Sequence, residues 1–155
     1  MSDAVRRVSL ERTSRGRLLA RNERGATVAV GMGEDSDFTP VELLLVAIAG
    51  CTAIDVDLIT GRRSAPEEFA LDASGVKTRD QHGSRLVDLA VDFQVRFPDT
   101  EGGRAAEAVL HRAITASHDR LCTVTRTVEV GSPVIASLRG TQVAGPPPGP
   151  DAVPD

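Results

Sequence analysis

Two thiols are the residues best suited to chemistry in this chain, Cys51 inside "AIAGCTAIDV" and Cys122 inside "HDRLCTVTRT". They lie far apart along the sequence and form no CxxC, so the spacings of thioredoxin-type dithiols and zinc ribbons are absent. A free cysteine can simply pack as a small hydrophobe, ligate a metal, or act as a nucleophile. Gly50, next to Cys51, is unfavourable inside a helix and calls for a packing or functional reason. It leaves room for another chain or a substrate to come close. Cys122 opens a polar turn, where a thiol is more accessible than in a core. Asp55 follows Cys51 at i+4, on nearly the same helical face, and disfavours a thiolate unless an arginine bridges the two. Arg126 or an N-terminal arginine are the candidates for that bridge; a structural pairing of Asp55 is the alternative. His118 and Cys122 share an i, i+4 relation and with Cys51 supply three ligand types for zinc, without a clear fourth. His82 reads as a turn residue and His111 as a solvated helix residue.

These residues must be held by elements that the rest of the chain spells out. The 155 residues are 41% hydrophobic and 26% charged, the composition of one globular domain. A net charge of −4 and scattered arginines give no nucleic-acid footprint. With neither Trp nor Tyr, the core rests on aliphatic side chains. The N-terminus shows no apolar signal region, and the apolar run Leu43–Ile54 falls short of the ~20 residues of a membrane span. A cytoplasmic protein with reduced cysteines is expected, so any disulfide between them would be transient.

Val5–Thr13, Arg17–Arg21 and Ala26–Val30 read as a three-stranded antiparallel meander. Thr39, Pro40 and Glu42 give a capping box with proline at the first helical position, opening a helix from Pro40 to about Thr60 that stops at Gly61. Phe69–Arg79 reads as a strand with a slip near Gly75. In the next strand Val87, Leu89, Val91, Phe93, Val95 and Phe97 alternate with polar or small residues. "PDTEGG" breaks the chain before an amphipathic helix, Arg104–Leu121. Val124–Val130 and Val134–Leu138 read as final strands. The fold class is α+β, with an expected domain over 1–138 and a disordered Pro/Gly-rich tail over 139–155.

"TPVELLLVAIAGCTAIDV" resembles the central-helix signature of the OsmC/Ohr family, the osmotically inducible and organic hydroperoxide resistance proteins. "HDRLCTVTRTVEV" is similar to that family's second cysteine segment, and the likeness covers roughly Val5–Leu138, closest to the OsmC-like branch. The resemblance implies an intertwined homodimer and a thiol-dependent hydroperoxide reductase needing no cofactor. Cys51 would be the peroxidatic thiol and Cys122 the resolving one, with a dithiol reductant resetting the pair. The family also implies an arginine from the N-terminal strands beside the reactive thiolate, held by a glutamate of the central helix. Arg15 and Arg17 are the arginines in that region, with Arg21 a further option. The glutamate position, ten residues before Cys51, is Val41 here. Glu42 is one place later, on the opposite side of the helix from Cys51, where its capping role also accounts for it. Because Cys51 lies mid-helix, the dipole of its own helix lends it little. The competing expectation is an OsmC-fold binding or structural module without efficient peroxidase chemistry.

Overall fold

The computed structural model describes residues 4–147. Strands β1 (Val8–Ser14), β2 (Arg17–Asn22) and β3 (Thr27–Val30) form the expected antiparallel meander in the order β1-β2-β3. The meander buries little. Every residue of β1 is exposed, and Val30 at the end of β3 is its one fully buried side chain.

Helix α1 (Pro40–Thr60) has the ends written in its sequence. Glu42 N–H donates to Thr39 Oγ1 at 3.2 Å, Thr39 N–H donates to Glu42 Oε2 at 2.7 Å, and Gly61 N–H closes the far end on Asp57 O at 2.8 Å. By length and composition α1 could cross a bilayer. Here it is the hub on which α2, α3 and β4 pack, and it buries Ile48, Thr52, Val56 and Thr60.

Strands β4 (Glu68–Asp80) and β5 (Gly83–Arg96) make one long hairpin, with Phe69 and Phe93 edge-to-face at 6.5 Å between ring centroids. The slip expected near Gly75 is there, but the extra residue sits on β5. Ser74 pairs with Ala90 and Val76 with Val87, so Gly75 faces both Asp88 and Leu89, and Asp88 takes a left-handed φ of 52°. A side chain at Gly75 would run into Leu89.

Two expectations require correction. The helix read as Arg104–Leu121 is α2, Glu101–Ala116, followed by a π-helical turn over Ser117–Leu121. Thr100 caps α2 by accepting from Gly103 N–H at 3.0 Å, so the two glycines taken for breakers lie in its first turn. Tight packing explains them: a Cβ on Gly102 would meet Arg63 O at 2.7 Å, and one on Gly103 would meet Pro98 O at 1.8 Å. The segment read as a strand over Val124–Val130 is instead helix α3, Thr123–Val130. Its β-branched residues alternate as a strand would, but Cys122 caps the first turn, Thr127 Oγ1 bonds back to Thr123 O, and α3 packs on α1. Tertiary context overrides strand propensity here.

The last strands are β6 (Ala136–Leu138) and β7 (Thr141–Ala144), joined through Arg139 and Gly140, both at positive φ as a two-residue hairpin loop demands. The hairpin thus occupies the first part of the stretch read as a tail, while 148–155 lie outside the described residues.

Candidate functional site

Cys51 projects from the middle of α1, and Cys122 stands at the junction where the π turn ends and α3 begins. Both are free thiols; Cys51 is half-buried and Cys122 is 0% exposed. Folding brings them together, close enough that each thiol acts on the other's protonation.

The junction matters more than the helix carrying Cys51. As N-cap of α3, Cys122 Sγ accepts from Thr125 N–H at 3.3 Å and lies 3.1 Å from Thr125 Oγ1. The Val124 N–H, from the same first turn, favours the anion on either sulfur. The partial positive charge of a helix N-terminus therefore does reach Cys51, delivered by α3 across the packing interface rather than by α1.

The two thiols respond differently. Burial pushes Cys51 up, and Cys122 and the nearby Asp55 carboxylate push the same way, outweighing the Val124 N–H. Burial also opposes ionisation of Cys122. The Thr125 hydroxyl and N–H, Cys51 and the Val124 N–H overcome it, leaving Cys122 below the ordinary thiol value. Within one chain the inner thiol is thus the more acidic of the two.

Asp55 pairs with a hydroxyl rather than a cation. Ser117 Oγ donates to Asp55 Oδ2 at 2.8 Å and lies 2.9 Å from Thr52 Oγ1, so the bridge sought from Arg126 does not form. The stabilising candidates also lie elsewhere. Glu42 is spent on the Thr39 cap, whose N–H holds its carboxyl below the usual range. Arg17 is paired with Asp35 and, at 4.0 Å, with Asp37 in the loop before α1. Among the described residues Arg15 makes no ion pair, and none of the groups that shift Cys51 is a cation. His118 does not complete a metal triad with the thiols. Its Nδ1 faces Asp119 at 2.9 Å and its Nε2 faces Glu129 at 3.1 Å, and these carboxylates raise it above the ordinary imidazole value.

A cavity of about 200 Å³ lies nearby, though neither cysteine lines it. Leu45, Ile48, Leu89, Val91, Phe93 and Ile114 make its apolar wall, and Thr52 and Thr125 bring it to the neighbours of Cys51 and Cys122. The α3 N-terminus, Thr125, Thr52 and Ser117 are the site residues that sequence reasoning missed. One signal was present: threonine three residues after Cys122 has the spacing of a cap and its N3 partner.

The architecture is that of an α+β protein whose two free cysteines lie where a central helix meets the start of a short one. A model of the family described as OsmC-like protein matches residues 33–137. The chain is 33% identical over 128 residues to an uncharacterized protein of Mycobacterium tuberculosis, covering 81% of this chain and 90% of that one. A relative from Mycobacterium bovis matches equally. Among solved structures it is similar to a hypothetical protein from Aquifex aeolicus (TM-score 0.67, 23% identity, 84% and 91% of the two chains covered). It is also similar to an OsmC like protein from Mycoplasma pneumoniae (TM-score 0.66, 13% identity, 83% and 89% covered). A third, from Legionella pneumophila, is an organic hydroperoxide resistance protein (TM-score 0.58, 12% identity, 83% and 91% covered). The chain belongs to the OsmC-like family.

Proposed function

We propose that this protein reduces organic hydroperoxides with its two cysteines. The observation that carries this reading is the pairing of Cys51 and Cys122 as free thiols at the N-terminus of α3, near an apolar cavity. Membership of the OsmC-like family, and the hydroperoxide resistance protein among its structural neighbours, agree with it.

Cys51 acts first because it is the more exposed of the two residues. Its thiolate attacks the distal peroxide oxygen; the S–O bond forms, the O–O bond breaks, and the alcohol leaves after taking a proton. The resulting sulfenic acid is then attacked by Cys122. The S–S bond forms, the S–O bond breaks, and water departs. The lowered pKa of Cys122 suits this step, since the thiolate is the attacking form and the Thr125 hydroxyl and N–H favour it. A small dithiol outside the protein then reduces the disulfide and is itself oxidised. Such a cycle requires a reducing compartment, which makes the cytoplasm its setting. The apolar cavity favours an alkyl or aryl hydroperoxide over hydrogen peroxide.

Cys51 lacks a cation in one chain, and we propose that a second copy supplies it. Arg15, unpaired on the exposed meander, is the better donor, because Arg17 is held by Asp35 and Asp37. The apolar face of α1 would lie in the dimer interface: Val46, Ile54 and Leu58 are 50%, 62% and 63% exposed. A second reading, a binding module on the same scaffold, is favoured by the raised Cys51 and by Val41 at the family's glutamate position. Incubation of the reduced protein with cumene hydroperoxide and a dithiol separates the two. Turnover that vanishes in Cys51→Ser supports the reductase; equal consumption by wild type and Cys51→Ser rules it out.

A further inference from the structure

We infer that Ser117 is a positioning residue that fixes Cys122 against Cys51 for disulfide closure, an inference resting on the two-cysteine reading above. Ser117 is fully buried and opens the π turn. Its hydroxyl carries one proton, and that proton is committed to Asp55 Oδ2 at 2.8 Å. Thr52 Oγ1, 2.9 Å away, must then be the donor to Ser117 Oγ. Thr52 and Asp55 both follow Cys51 on α1, as the next residue and the one a turn later. The side chain of Ser117 is therefore tied to the part of α1 that carries the first thiol. Its carbonyl does the complementary job, accepting the Cys122 N–H at 2.9 Å and closing the π turn on the second thiol. One residue thus links the backbone of Cys122 to the helix of Cys51.

The π geometry belongs to the same device. An α-helical turn would send the Cys122 N–H to His118; the wider turn returns it to Ser117, the anchored residue. Asp55 gains no cation from this arrangement, and its charge works against a thiolate on Cys51. Its contribution is to receive the Ser117 hydroxyl. Closure transfers no atom through the clamp: the Cys51 sulfenic acid loses its oxygen as water, the Cys122 sulfur bonds to that of Cys51, and the two electrons come from the Cys122 thiolate.

The test compares Ser117→Ala, Asp55→Ala and Asp55→Asn in the full chain, each checked for folding by circular dichroism. Cumene hydroperoxide and diamide, a thiol oxidant needing no peroxide chemistry, are each added to the reduced protein. Mass spectrometry then follows the Cys51–Cys122 disulfide and sulfinic acid at Cys51. Ser117→Ala and Asp55→Ala should slow closure by about tenfold or more with both oxidants, the scale expected when reacting groups lose alignment. With hydroperoxide, sulfinic acid should accumulate at Cys51 in these two variants. Asp55→Asn keeps an acceptor oxygen for Ser117 and should close within about twofold of wild type, a rescue that loss of stability alone would not produce. If Ser117→Ala does not fold, the two substitutions at half-exposed Asp55 decide. Wild-type closure rates in folded Ser117→Ala, or Asp55→Asn as slow as Asp55→Ala, would overturn the inference. A wild type that closes with diamide but ignores hydroperoxide would remove the reductase reading while leaving this comparison intact.

Discussion

Cys122 is the residue on which the chemistry of the pair turns, because it is both a thiol and a helix cap. Its charge is stabilised by one side-chain hydroxyl and two first-turn N–H groups, none of which carries a formal charge. Thr125→Val removes the hydroxyl while leaving the N–H groups. The inner thiol should then titrate at higher pH, read as thiolate absorbance against pH, and disulfide closure at neutral pH should slow. If Cys122 resolves Cys51 as proposed, Cys122→Ser should react with about one equivalent of hydroperoxide and then stall, with sulfenic and sulfinic acid found at Cys51. His118 gives a separate pH signature. Its folded-state pKa is raised, so the stability it contributes is fully present below the ordinary imidazole value and is lost as pH rises through the folded one. Melting temperature followed across that range should fall in wild type by more than in His118→Gln.

Elements differ in how much of their own description they carry. Thr39, Pro40 and Glu42 encode the start of α1 without help from the rest of the fold, so Thr39→Ala should cost about 1 kcal/mol, or ~3 °C in melting temperature. β5 was likewise legible, since its Val91–Arg96 half alternates between half-buried and exposed side chains. α3 was not, because Val124, Val128 and Val130 fit a strand pattern as readily as a helical face. What decides is the cap at Cys122 and the α1 surface beneath, and only the first is visible in sequence. The same limit hid the site's polar half. Ser117 meets Thr52 and Asp55 from more than sixty residues away, and no local pattern announces that meeting. Gly103 is the sharpest case of context reversing propensity. Gly→Ala inside a helix normally adds up to about 1 kcal/mol. Here the new Cβ would overlap the Pro98 carbonyl, so Gly103→Ala should destabilise by about 1–3 kcal/mol in chemical denaturation.

For the molecule as a whole, the burial pattern speaks to what one chain leaves undone. Its buried apolar residues are few and mostly small, namely Val30, Ile48, Val56, Ala106, Ala113 and Cys122 among the described residues. Long apolar side chains stand exposed along α1 and β1, among them Val8, Leu10, Val46, Ile54 and Leu58. Gly50 turns this into a measurement. In one chain nothing lies within 4 Å of the position a Cβ would take there, so no internal contact accounts for a glycine in mid-helix beside Cys51. For an isolated chain, Gly50→Ala should therefore stabilise α1 by up to about 1 kcal/mol. If a second copy packs on α1 as proposed, the same methyl group enters an interface instead. The cost is then about 1–3 kcal/mol of overpacking, which weakens association by roughly 5- to 150-fold. Sedimentation equilibrium of wild type and Gly50→Ala, alongside thermal melts at two protein concentrations, reads both quantities. A wild-type dimer loosened by the alanine, with a melting temperature that falls on dilution, places Gly50 at the contact between chains. A monomer made more stable by the alanine would leave Cys51 without its cation and remove the dimer from the mechanism.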